Sequence, residues 1–154
     1  MIDKLIKSYE QQGKIARQQA GMVQVEALLR ESIIDLEEAK KTMAIADRAT
    51  YLMAYNAMLK AGRALLLMEG LRPADGGQHK TVVEITGAIL GEAFSDLVNH
   101  FEVMRRKRNE MTYEAGALLS SADAKNAFTD SVSLVRKILS EARRRNPQLE
   151  LRFE

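Results

Sequence analysis

The chain holds no cysteine, which removes disulfides, thiolate metal sites and cysteine nucleophiles together and fits a reducing cytoplasm. Histidine is nearly as scarce. His79 and His100 are the only two, they stand far apart, and neither belongs to a His-Glu-x-x-His pair or another ligand spacing, so no metal site is expected. There is no G-x-S-x-G elbow, dinucleotide fingerprint or Walker ending, and no cofactor is expected. No run approaches the roughly 18 apolar residues of a membrane span, and the opening MIDKLIKSYEQQ lacks the unbroken apolar core of a signal peptide. A dominant charge is missing too: 23 Lys and Arg against 21 Asp and Glu leave +2, too little to announce a nucleic-acid protein by itself. The cations are clustered, however, at 105 to 108 and again at 143 to 145. These absences lead us to expect a soluble cytoplasmic protein with no membrane partner.

What is present is helical periodicity. With 154 residues, 46% of them hydrophobic, one domain spanning 1–154 is expected. Ile2, Leu5, Ile6, Tyr9 and Ala16 make a weak stripe over 2–20, interrupted by Gly13. Val25, Leu28, Leu29, Ile33, Leu36, Ala39 and Met43 keep the period over about 22–45. Asp47 is positioned to cap a third helix running to about Glu69, before Gly70 and Pro73, with Tyr51, Ala54, Tyr55, Met58, Ala61, Leu65 and Met68 on one face. Gly62 beside Ala61 would let a neighbouring helix come close. LRPADGGQHK reads as a loop, Thr81 and Glu84 as a capping box opening a short helix over 82–90, and Ser120 or Ser121 as the start of a last helix reaching about Arg145 before Asn146-Pro147. The tail LELRFE alternates briefly and reads as a flexible or docking end. The expected fold is all-α, an antiparallel up-and-down bundle of four main helices plus a short helix and an N-terminal extra.

One stretch carries chemistry. Phe94, Leu97, Val98, Phe101, Met104 and Met111 recur at helical steps, and Arg108, seven residues after Phe101, points in nearly the same direction. A guanidinium on the face that meets the core is costly unless it is paired, hydrogen-bonded or set at a cleft. Asn109 and Thr112 flank it, and Tyr113 closes the helix. Arg105, Arg106 and Lys107 complete four consecutive cations that fan around the helix. A solvated basic run near a helix C-terminus explains those three better than a ligand site does. The tyrosines at 51 and 55 and His100 at the stripe's edge read as core or boundary residues.

The succession Asp47, Ala54-Tyr55, Ala61, Ala64-Leu65-Leu66-Leu67, Gly70, Pro73, His79 opening a helix, and Arg108-Asn109 with Tyr113 near a helix end resembles the HEPN superfamily of small helical bundles. The resemblance covers 22–145, leaving an N-terminal extension (1–21) and a tail (146–154). It implies a homodimer whose Arg-centred motifs face a shared cleft. The corresponding activities are metal-independent RNA endonuclease of the toxin kind, with a nucleotidyltransferase-type antitoxin as partner, or noncatalytic binding of RNA, nucleotide or a partner protein. Active members carry Arg, four to six residues, then His; here Tyr113 stands where that His would. A second register, Arg106 to Met111 and Tyr113, also lacks His. Tyrosine, with a pKa of about 10, is a poor base at neutrality, and losing general-base catalysis costs about 10²- to 10⁴-fold. The expectation is therefore a noncatalytic module binding through Arg105, Arg106, Lys107, Arg108 and Thr112. The alternatives are a ribonuclease using Arg108, Asn109 and Tyr113, or an interaction protein whose Arg108 pairs with a buried carboxylate.

Overall fold

A computed structural model describes residues 2–19, 21–74 and 78–154. Among them are six α-helices: α1 (Ile2–Gln11), α2 (Met22–Thr42), α3 (Asp47–Met68), α4 (Gln78–Leu90), α5 (Ser95–Tyr113) and α6 (Ser121–Arg145). The fold is an all-α bundle in which α2, α3, α5 and α6 are the main helices, α4 the short one and α1 the N-terminal addition. None of these helices is long and apolar enough to cross a membrane.

Helix α3 is the axis. It touches α2, α4, α5 and α6, and its buried residues include Ala54, Tyr55, Ala57, Met58, Ala61, Ala64, Leu65 and Leu66, too many for one stripe. A helix with neighbours on every side is apolar nearly all round. Toward α2 and α6 the fit depends on small polar residues. Ser32 of α2 donates to the Ala57 carbonyl at 2.7 Å and Ser131 of α6 to the Ala54 carbonyl at 2.8 Å, so each buried hydroxyl is satisfied on α3 itself. Asp35 meets Lys60 at 2.8 Å; burial raises its carboxyl above the usual range, and the Lys60 ammonium opposes that rise. Toward α4 the fit depends on Gly62, where a Cβ would stand 2.7 Å from Val82 Cγ1 and 3.0 Å from Thr86 Oγ1. Gly87 plays the same part for α5, with Val98 Cγ1 at 2.9 Å. These bare backbones let α4 sink between its neighbours.

Several local expectations are corrected. The stripe over 2–20 is not one helix: α1 stops at Gln11, Gly13 turns with φ +72°, and Ile15–Arg17 form strand β1. It pairs antiparallel with β2 (Leu71–Pro73), Ile15 opposite Pro73. Part of the segment read as a loop is thus a strand, and its Asp75-Gly76-Gly77 turn lies outside the described residues. Thr81 caps nothing. Helix α4 begins at Gln78, and Thr81 is buried inside it, because the local Thr-x-x-Glu signal competes with a core position. Asp47 is the first residue of α3, after Ala46 as cap; its carboxylate instead accepts from the Ser121 hydroxyl at 2.8 Å, tying α3 to α6. Helix α2 ends at Thr42 rather than near 45, since Ala44 adopts φ +66°. A 3-10 turn at Glu92–Phe94 precedes α5. Ser120 does cap α6, accepting from the Asp123 N–H at 3.0 Å while Asp123 accepts from the Ser120 N–H at 3.1 Å.

Candidate anion-binding site

The α3, α4 and α5 faces meet at Tyr55, His79, Phe101, Arg105 and Arg108. Tyr55 and Phe101 are fully buried, with ring centroids 5.9 Å apart. The Tyr55 hydroxyl lies 2.8 Å from His79 Nδ1. With the hydroxyl as donor, its proton lies in that bond. Nδ1 then accepts, and the ring proton belongs on Nε2. Burial raises the Tyr55 phenol well above its ordinary range, with the Arg108 and Arg105 guanidiniums opposing the rise. His79 is shifted the other way: burial first, then Arg108, Arg63 and Arg105, push its imidazole below the usual 6.5. The shift favours the neutral imidazole.

The cationic run divides between several surroundings. Arg105 is largely enclosed, its side chain 16% exposed, and it grips Glu102 through Nε at 2.7 Å and Nη2 at 3.0 Å. That grip is the largest influence holding Glu102 below the usual carboxylate range. Arg106 shares the same carboxylate at 2.9 Å, but its side chain is 72% exposed. Lys107 lines a different cavity of about 210 Å³ with Tyr51, His100 and Asp123, and reaches Glu110 only at 3.9 Å. Arg108 is half-buried; Nη1 donates to the Asn109 amide oxygen at 3.3 Å, and no carboxylate pairs with it among the described residues. Thr112 is exposed, its hydroxyl folded back onto the Arg108 carbonyl at 2.9 Å. Tyr113 is 79% exposed, and no hydrogen bond or ring contact joins it to the cluster among the described residues.

The site is therefore centred on Arg108 and Arg105, with Asn109 holding Arg108. Sequence reasoning missed Tyr55 and His79 as partners, and Arg63, whose Nη2 donates to Gln78 Oε1 at 3.2 Å. Arg63 also lines a cavity of about 240 Å³ with Leu28, Leu67, Leu71 and Gln18. The periodicity put His79 in a loop before a helix at 82, and only the resemblance put it at a helix start, where it stands in α4; its contact with Tyr55 needs the tertiary packing of α4 on Gly62. Among the described residues no group of three or more acidic, histidine or cysteine side chains is arranged to hold a metal. Guanidiniums around a neutral imidazole that presents an N–H suit an anion with several acceptor oxygens, above all a phosphate. No family model, curated protein or solved structure matches this chain.

Proposed function

We propose that this chain is a noncatalytic, HEPN-like cytoplasmic module that binds RNA through the phosphate backbone, as a homodimer whose Arg108 clefts adjoin. A nucleotide or an acidic partner protein would use the same groups. The observation that carries the reading is the half-buried Arg108 guanidinium, held by a neutral amide beside an imidazole that its surroundings keep neutral. Such a charge gains most from an anion supplied by a ligand. The test is titration of labelled single-stranded RNA across a salt series. Arg108→Ala should weaken binding about tenfold and reduce the salt slope by about 0.7, one phosphate contact on a single strand. Unchanged affinity and slope in a folded variant would remove the site.

One observation favours a second reading, metal-independent ribonuclease activity in a toxin and nucleotidyltransferase-type antitoxin pair. His79 supplies, from α4, an imidazole beside Arg108 that the linear motif lacks. With the Tyr55 hydroxyl donating, Nδ1 is occupied and Nε2 carries the proton, an arrangement that leaves no lone pair for a base. Incubating mixed RNA with wild type, Arg108→Ala and His79→Gln in EDTA separates the two readings. Cleavage that both substitutions abolish would establish the nuclease, whereas intact RNA throughout is the outcome expected.

A further inference from the structure

On the side of α3 away from this site, residues 149–153 lie extended along a groove between α2 and α6. The alternation read in the tail is real, but it is not a strand: Leu149 is buried, Leu151 and Phe153 are half-buried, and Glu150, Arg152 and Glu154 face out. The groove holds the segment by its backbone. Arg143 Nη1 donates to the Leu151 carbonyl at 2.8 Å, and Arg136 donates to the Phe153 carbonyl from Nη2 at 3.1 Å and Nε at 3.3 Å. The Phe153 ring meets Phe128 edge-on at 6.2 Å, with Lys40 and Arg136 over it at 6.0 and 5.8 Å. Alternate side chains in apolar seats, with carbonyls caught at every second residue, is how a groove reads an extended peptide.

Two observations set this segment apart from a sealed core. Cavities of about 560 Å³ and 330 Å³ remain beside Phe153. The turn that folds the segment back is only Asn146–Gln148, closed by Leu149 N–H to the Asn146 carbonyl at 3.0 Å and a longer contact from Gln148 N–H to Asn146 Oδ1 at 3.4 Å. The charges match as well, since Lys40 and Lys41 line the larger cavity with Glu154. Every contact that seats the segment in its own groove is reproduced if it enters the groove of an identical chain, and opening a short turn is the usual route to that exchange.

We propose that the α2–α6 groove is an exchange site that takes residues 149–153 from a second copy of this chain. The exchange is independent of the RNA reading, which concerns the opposite side of α3. The test uses two full-length variants. One, Leu151→Asp with Phe153→Asp, keeps an intact groove and has no usable segment. The other, Arg136→Glu with Arg143→Ala, keeps the segment and has a defective groove. Because the chain has no cysteine, an exposed Val23→Cys labels one variant with a donor dye and the other with an acceptor. The Arg108 pairing proposed above gives the same background transfer in a mixture of two defective-groove chains; above that background, mixing should give transfer that excess peptide of residues 147–154 removes, returning the signal to the background. No transfer, with both variants retaining wild-type helical circular dichroism, overturns the proposal. So does transfer no greater than that background, or an excess over it that the peptide leaves untouched. Peptide binding to the intact groove without pairing of the two chains also overturns it and makes the groove a receptor for a different protein. If the doubly charged tail unfolds the chain, Phe153→Ala takes its place with the same readout.

Discussion

The two sides of α3 bury polar groups in opposite ways. Toward α2 and α6, the Ser32 and Ser131 hydroxyls end on carbonyls of α3; removing the side chain leaves a backbone group that already bonds within its helix. Toward α4 and α5, polar side chains satisfy one another, Tyr55 on His79 and Arg105 on Glu102, and a guanidinium remains without a carboxylate among the described residues. The first arrangement is complete and stabilises the fold. The second leaves a guanidinium without a carboxylate among the described residues, and that difference, more than the residue types, is what supports the proposed site.

The comparison can be broken most strongly on the dry side. Leu36, fully buried on α2, should cost about 2 to 5 kcal/mol when replaced by alanine. Chemical denaturation would register the loss, while RNA affinity per folded molecule stays unchanged. Gly62→Ala sets the added Cβ against Val82 and Thr86 and should cost about 1 to 3 kcal/mol. Unlike Leu36→Ala it should also weaken RNA binding, because pushing α4 away carries His79 with it; equal affinity would separate α4 from the site. The third effect is on pH. His79 has a folded-state pKa below its unfolded value, so the unfolded chain binds the extra proton. Stability is full above about 6.5 and falls as the pH drops through that value toward the folded pKa. Thermal melts at pH 7.5 and 5.5 should show this loss in wild type, and a smaller one in His79→Gln. The smallest effect belongs to Tyr113→Phe, exposed at the end of α5: RNA affinity should change less than twofold, and a larger change would bring the helix end into the site.

The bundle was legible because α2, α3, α5 and α6 each carry a long apolar period, and a serine at 120 or 121 marked the start of the last helix. Elements set by distant partners were not. Strands β1 and β2 have three residues each, too few for a period, and pair Ile15 with Pro73. Thr81 and Glu84 carried a local signal that burial overrode. At the site, the phase of Arg108 was visible from Phe101 and Met104, since both lie on α5. Tyr55 read as core because it is core; its hydroxyl acquires a role only when α4 brings His79 across Gly62. Thr112 shares the phase of the stripe, but one hydrogen bond to its own helix turns its hydroxyl away.

The pairing of Ile15 with Pro73 also orders events in time. Joining positions so far apart costs loop-closure entropy, which the intervening α2–α3 hairpin reduces only after it has formed. Helix α1, held by this short ladder, by the buried Tyr9 ring and by its hydroxyl on Glu84, is then expected to open more readily than α3. Its amides would exchange with solvent through openings that leave the rest of the bundle closed.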